Sequence, residues 1–329
     1  MNSGKIRWGI AGPGNIANKF ARAVKNVDSA ELCAVASRSY DKAAEFAGKY
    51  GIENVFSSYE KMARSDKIDA VYISTIHPFH KSCAELFLNN GKHVLCEKPI
   101  CVNSNQAKQL FECAKNNGKF LMEAMWTRFL PAIRETKSMI ESGEIGKVMA
   151  LEADFCYRET PESAAILFDN TIAGGALLDV GIYPLNLSAF LLGNNPKEIN
   201  STAYTENGVD IHTQMTLKYN DGIVSSLSCA IGVQKPETAF IYGTEGYIKL
   251  PTFYGAQEII FCKDGKETVI KKPSIGEGFE EEIIEACNCI NSGKTESEIM
   301  PHSESLAILS HMDEIRKQIE IKYPLEGEE

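Results

Sequence analysis

Lys5-Ile-Arg-Trp-Gly-Ile-Ala-Gly-Pro-Gly-Asn-Ile-Ala17, followed by a polar–apolar run to Asn26, decides the fold. Ile6, Trp8 and Ile10 alternate with Arg7 and Gly9, the period-two pattern of a short strand ending at Gly12. After Asn15, the residues Ile16, Phe20, Ala23 and Val24 fall on one face at helical spacing. The turn between strand and helix carries Gly12-x-Gly14-x-x-Ala17. Gly12 permits the tight turn, Gly14 lets the backbone approach a pyrophosphate, and Ala17 keeps the helix close to the strand. The helix start offers unpaired N–H groups and a positive dipole end, so Gly12, Pro13, Gly14, Asn15 and Ile16 are the candidate phosphate-binding residues. An ordinary strand-to-helix turn uses glycine too; the position after a first strand and before a helix is what points to a dinucleotide.

With 329 residues the chain exceeds one typical domain, and 44% hydrophobic against 24% charged residues is ordinary for a soluble globular protein. A net charge of -10 leaves no basic stripe to neutralise nucleic-acid phosphates, whereas a bound nucleotide needs only local N–H groups and one or two cations. The first strand begins by Lys5 or Ile6, which leaves no room for a signal peptide. The most membrane-like stretch, Ile172 to Gly193, holds Asp179, Tyr183, Pro184, Asn186 and Ser188 and reads as a buried helix and its approach, not a membrane span. Ten cysteines include no Cys-x-x-Cys, the closest pair being Cys287-x-Cys289, so reduced thiols in a cytoplasmic protein are expected.

Downstream, strands and helices alternate to about residue 124: strands at Glu31–Ser37, Val55–Phe56, Ala70–Ser74, His93–Cys96 and Phe120–Glu123, with helices between them. That alternation specifies a doubly wound parallel sheet, an α/β nucleotide domain over residues 1–124. The second strand ends Ala36-Ser37-Arg38-Ser39, without the acid that would take a ribose 2′-hydroxyl. The Arg38 guanidinium and the Ser37 hydroxyl suit a 2′-phosphate instead, which favours NADP over NAD. Thr75-Ile-His77-Pro-Phe-His80 follows the fourth strand at its carboxyl end, where ligands bind in open α/β sheets, with His80 one helical turn further on.

Beyond residue 124 the pattern changes. Residues 125–329 read as an α+β domain: a helix at Pro131–Ser142, a strand at Lys147–Phe155, a long loop at Tyr157–Ile172, a buried helix at Leu177–Leu192, then a run of strands forming a large, mostly antiparallel open sheet. Asn220-Asp-Gly222 and Lys263-Asp-Gly265 read as hairpin turns, and the acidic end Glu326–Glu329 as disordered. Ile211, Met215, Leu217 and Tyr219 form one apolar strand face. His212, Gln214 and Thr216, continued by Val224, Ser226, Ser228 and Ala230 of the next strand, form a small, nearly uncharged second face that suggests cover, by a second copy of the chain or else by helices of the same chain.

The chemistry concentrates in two motifs. Glu97-Lys98-Pro99 follows a parallel strand at the ligand edge, and Gly174-Gly-Ala-Leu-Leu-Asp179-Val-Gly-Ile-Tyr183 puts Asp179 and Tyr183 at i and i+4 of a helix start. A lysine beside a tyrosine makes a proton-transfer pair, because an ammonium favours the phenolate. Taken singly, Lys98 also reads as a surface residue, Tyr183 as a core aromatic and Asp179 as a helix cap.

These motifs, with Ala11-Gly-Pro-Gly-Asn-Ile-Ala17, Met122-Glu-Ala-Met-Trp-Thr-Arg128, Tyr242-Gly-Thr-Glu-Gly246 and Ser303-Glu-Ser305…Met312-Asp-Glu-Ile-Arg316, run along nearly the whole chain. In them the chain resembles the glucose–fructose oxidoreductase/inositol dehydrogenase (Gfo/Idh/MocA) family, in its branch containing dimeric dihydrodiol dehydrogenase and NADP-dependent D-xylose dehydrogenase. The resemblance implies hydride transfer between a nicotinamide and a carbinol carbon of a sugar or diol, with Lys98 and Asp179 matching the family's motif lysine and aspartate. Many members carry histidine where this chain has Tyr183. On that reading Tyr183 is the acid/base, Lys98 stabilises the oxyanion, and Asp179 orients the substrate or the lysine. Trp126, Arg128, Phe155 and Arg158 join Asp179 and Tyr183 as substrate-binding candidates, and Glu97 and Lys98 join the cofactor set. No metal is expected, since the six histidines include no His-x-x-x-His. A nucleotide-binding sensor without turnover, and an enzyme using a retained cofactor without net redox, are the competing readings.

Overall fold

The opening stretch folds as read, Ile6–Ala11 as strand β1 and Asn15–Ala23 as helix α1. The computed structural model describes residues 4–327 and shows two compact units. The first comprises the residues up to Cys101, Asn105–Trp126 and Ile275–Ser305; the second comprises Val102–Ser104, Thr127–Ser274 and the chain from Leu306 on.

In the first unit β1 and α1 are followed by β2 (Ala30–Ala36), α2 (Tyr40–Tyr50), β3 (Asn54–Phe56), α3 (Tyr59–Ala63), β4 (Ala70–Ile73), α4 (His80–Asn89), β5 (His93–Glu97), α5 (Ser104–Asn117) and β6 (Leu121–Ala124). The six strands are all parallel in the order β3-β2-β1-β4-β5-β6. Covered on both faces, the inner strands are continuous apolar runs: all four residues of β4 are buried. Phe20 of α1 fills the layer above them, stacked on Tyr72 at 4.0 Å and edge-on to Trp8 at 5.6 Å. Strand order reverses between β1 and β4, so the ligand crevice of this sheet lies past the carboxyl ends of those two strands.

The second unit continues with α6 (Pro131–Glu141), β7 (Val148–Cys156), α7 (Ile182–Leu192), β8 (Glu198–Glu206), β9 (Val209–Lys218), β10 (Val224–Ala230), β11 (Ala239–Gly243), β12 (Gly246–Leu250), β13 (Glu258–Lys263) and β14 (Lys266–Lys271). Its eight strands run β14-β13-β12-β11-β7-β10-β9-β8, antiparallel throughout except for the β7–β10 pair. Two expected turns hold, with Asp221 and Asp264 both at positive φ (62° and 52°) ahead of a glycine. A third hairpin, turning on Asn207-Gly208, joins β8 to β9. Register pairs His212 with Ala230, Gln214 with Ser228 and Thr216 with Ser226, the shared face read from the sequence.

Three segments differ from expectation. The buried helix opens with a π-helical turn, Leu177–Gly181, before α7. The 157–172 loop contains two 3-10 turns, Ala165–Phe168 and Asn170–Ile172. Glu326 is ordered by Arg316 and Asn103, because two cationic or amide donors fix its carboxylate; Glu328 and Glu329 lie outside the described residues. Asn170–Leu192 is apolar and long enough to cross a membrane, but its most apolar window is 78% buried inside the protein. All of α7 except Phe190 and Leu192 is buried, and it packs on β7 and β10. The chain then returns to the first unit as α8 (Glu280–Asn291), packed on α1 and β2, and α9 (His302–Gln318) follows. All ten cysteines are free thiols.

Candidate functional site

In the first unit the crevice is built around Gly12, whose φ is 93°. A side chain there would stand 3.1 Å from the Ser74 carbonyl oxygen, so only glycine fits where β1 and β4 end side by side. Ser74 closes this corner by donating its N–H to the Ala11 carbonyl (3.0 Å) and its hydroxyl to that of Gly12 (2.8 Å). α1 starts behind Gly14, and among the described residues nothing crowds Gly14 and no side chain caps the first amides of the helix. Pro13, Gly14, Asn15 and Ile16 are all at least partly exposed, so a helix N-terminus with free donors faces outward, the setting a pyrophosphate requires.

Past β2, Ser37 is buried and accepts the N–H of Ser39 (3.2 Å), while Arg38 is exposed with its guanidinium over the Phe79 ring at 5.4 Å. Past β4, Thr75 and His77 are half-buried, and the His77 ring meets that of His80 edge-on at 5.9 Å. His80 is buried, with Nδ1 at 2.7 Å from the Pro99 carbonyl oxygen and Nε2 at 2.8 Å from that of Thr75. It ties the end of β4 to the loop after β5; burial pulls its pKa down, against the pull of the two carbonyls. Glu97 closes β5, buried, accepting the Tyr72 hydroxyl and the Lys98 N–H. Burial pushes its pKa up, while Lys98 and Tyr72 pull it back. Lys98 itself is half-buried. Glu282 of α8 faces the same carboxylate: it is fully buried, neither of its oxygens has a hydrogen-bond partner among the described residues, and burial, then the Glu97 charge, pushes its pKa well up. Trp126 is stacked on Phe279 at 5.2 Å.

In the second unit Asp179 sits in the π-helical turn and Tyr183 in the first turn of α7. Tyr157 donates its hydroxyl to Asp179 Oδ2 at 2.5 Å. Burial, then the Asp179 charge, pushes the Tyr157 pKa up, so Tyr157 stays a donor to that carboxylate. Tyr183 is 8% exposed and lies in an aromatic cluster, its ring 5.1 Å from Phe155 and 6.1 Å from Tyr254, with Phe155 stacked on Tyr254 at 4.1 Å. Arg128 is buried, donates from Nε to Asn186 Oδ1 and lies over Phe190 at 5.0 Å, both on α7, the helix that carries Tyr183. Arg158 is exposed and bridges Gly232 through its backbone.

The family described as "Oxidoreductase family, NAD-binding Rossmann fold" (Gfo/Idh/MocA) matches residues 6–125, and the Gfo/Idh/MocA C-terminal domain matches residues 133–249. The chain belongs to this family. It is an oxidoreductase whose first unit is a nicotinamide-nucleotide-binding Rossmann fold. Trans-1,2-dihydrobenzene-1,2-diol dehydrogenase of Danio rerio is 34% identical over 97% of this chain and 98% of its own length. The Homo sapiens enzyme of the same name is 33% identical, with coverage of 97% and 98%. Among solved structures, a 3-ketoreductase from Actinomadura kijaniata, crystallised with NADP and TDP-benzene, superposes with a TM-score of 0.88 at 26% identity, covering 96% of this chain and 98% of its own.

Sequence reasoning missed Tyr157, Tyr254 and Glu282. Tyr157 shares the parity of Phe155 along an extended strand, a signal that was present. Tyr254 lies in an irregular turn after β12, and Glu282 among the glutamates that open α8; neither carries a local pattern that marks it.

Proposed function

We propose that this chain is an NADP-dependent dehydrogenase/reductase acting on the carbinol carbon of a trans-diol or sugar. Residues before 125 hold the nucleotide and supply Lys98, and residues after it supply the remaining substrate groups. The observation that carries this reading is the end-to-end likeness to diol dehydrogenases in a chain with Lys98 after β5 and Tyr183 at the start of α7. The free amides of α1 and the exposed Arg38 at the end of β2 fit a pyrophosphate and a 2′-phosphate, which supports NADP.

When bound, the nicotinamide supplies two-electron chemistry, accepting hydride in oxidation and returning it in reduction. Tyr183 takes the hydroxyl proton in oxidation and gives it back in reduction. Lys98 stabilises the developing oxyanion. Asp179, held by the Tyr157 hydroxyl, orients the substrate hydroxyls, and the Phe155–Tyr254 stack gives the ring or carbon skeleton an apolar wall. Ten free thiols suit a reducing, cytoplasmic setting.

The outer face of the second unit's sheet also supports a homodimer. It presents Gln214, Thr216 and Ser226, then across the exposed Glu152 of β7 the stacked pair Phe240 and Tyr242 (5.6 Å), and at the other side Tyr204, which is 62% exposed. A dimeric mass by light scattering at micromolar concentration is expected; a monomeric mass removes the dimer. For the reaction, NADPH formation is followed by absorbance with trans-1,2-dihydrobenzene-1,2-diol, D-xylose and inositols. Reduction of NADP by at least one is expected. No NADPH from any compound favours a sensor, and product without net NADPH favours transient cofactor use.

A further inference from the structure

Asp210, at the start of β9, is fully buried and takes no part in the reaction proposed above. Its Oδ2 accepts the Leu177 N–H at 2.8 Å and the Thr213 hydroxyl at 2.7 Å, and the Ala176 N–H also faces the carboxylate. Ala176 and Leu177 begin the helical segment that carries Asp179 and Tyr183. The other oxygen, Oδ1, has no hydrogen-bond partner among the described residues and lies against Gly175, where a side chain would come within 2.2 Å of it. Gly175, at φ 121°, is therefore the socket into which the carboxyl fits. At its far end the same helix is held by Ser188, bonded to the Tyr219 and Ser225 hydroxyls at 2.8 Å each. At its near end the grip is that of Asp210.

We propose that Asp210 is a positioning residue: by holding the first amides of the helix that bears Asp179 and Tyr183, it sets where those two side chains stand for proton transfer. The inference rests on the acid/base reading of Tyr183. Two other titratable groups face the carboxyl, Cys229 from β10 and Tyr323 from the C-terminal segment, and burial pushes both upward, so both stay neutral. Asp210 is thus the group of this cluster that changes charge near neutrality, its pKa pushed to about 7 by burial. When protonated, the proton belongs on the unpartnered Oδ1, and Oδ2 still accepts both donors. When ionised, the same two bonds become charge-assisted and shorter, and the negative charge meets the positive end of the helix. The ionised form is the tight grip.

The test uses the whole protein, NADP and trans-1,2-dihydrobenzene-1,2-diol, with kcat and KM measured against pH and amide hydrogen exchange followed at Ala176 and Leu177. Asp210→Ala is expected to lower kcat about ten- to a hundredfold, the cost of a small misplacement, with NADP KM within about twofold. It should also speed exchange at both amides. Asp210→Asn keeps an acceptor and should recover kcat to within about threefold while erasing the inflection near pH 7. Thr213→Val removes a donor to the charged form and should move that inflection upward. Unchanged kcat and exchange in folded Asp210→Ala overturn the inference. If that variant does not fold, an inflection unmoved in Thr213→Val and retained in Asp210→Asn overturns it. Exchange reads the grip without turnover: a wild type that oxidises nothing, with exchange still responding to Asp210→Ala, sinks the proposed reaction and leaves the grip standing.

Discussion

Tyr183→Phe removes one oxygen and keeps a ring. The ring's neighbours, Phe155 at 5.1 Å and Tyr254 at 6.1 Å, are apolar faces that phenylalanine meets as well as tyrosine does. Folding stability should therefore change by no more than one hydrogen bond's net worth, about 0.5–1.5 kcal/mol. The proton transfer is a separate matter. A positioned acid/base is worth about 10²–10⁴ in rate, which is about 3–5 kcal/mol of transition-state stabilisation. The two magnitudes differ enough to be read apart. Urea unfolding gives the first, and initial rates of NADPH formation at saturating diol give the second. NADP affinity, measured by fluorescence titration, should stay within about twofold, because the α1 amides and Arg38 are untouched. Lys98→Met should also lower kcat, and the double variant should lose less than the product of the two if they act as a unit. A Tyr183→Phe enzyme with wild-type kcat refutes the assignment, and His77, past the end of β4, becomes the next group to test.

Arg38→Ala should weaken NADP about ten- to a hundredfold while changing NAD little, since only NADP carries the 2′-phosphate; equal losses for both cofactors would exclude Arg38 as the selector. Stability should carry the signature of Asp210, whose carboxyl moves from an ordinary 3.8 to about 7 on folding. A raised folded pKa means that the native state holds a proton the unfolded chain has released. The stabilisation is complete below about pH 4, falls through pH 4–7 and is absent above. Urea unfolding at pH 5 and pH 8 should show wild type losing about 3 kcal/mol relative to Asp210→Asn, and parallel curves would contradict the buried charge.

The strand–helix alternation up to residue 124 was legible because its signals are local; the return of Ile275–Ser305 to the same unit carries none. A strand, a glycine turn and a helix succeed one another within Ile6–Ala23, and each later strand announces itself by an apolar run between helices. Arg38, Lys98, Asp179 and Tyr183 could be singled out because each follows a strand end or a glycine pair. What escaped depends on distant partners. The contacts of Arg128 with Asn186 and Phe190, some sixty residues on, carry no local signal. The role of Asp210 requires Leu177 and the socket at Gly175, neither of them near it in sequence. The π-helical turn at Leu177–Gly181 has the composition of an ordinary buried helix, and no period in the residues sets it apart.

β7 lies in the middle of its sheet, with β10 parallel on one side and β11 antiparallel on the other, both more than 70 residues ahead in sequence. The strands flanking it are otherwise joined by short turns: β8–β9–β10 form one meander and β11–β14 another. Each meander can assemble by fast local pairing, but neither can meet the other until β7 is seated between them. The order of events during refolding follows. Closing those two long loops is the slow entropic step, and the apolar pairing of Leu151 with Ile241 and of Ala153 with Leu227 repays it. Shortening Leu151 should therefore slow refolding more than a truncation of similar burial in β13, where the pairing partner is only a turn away.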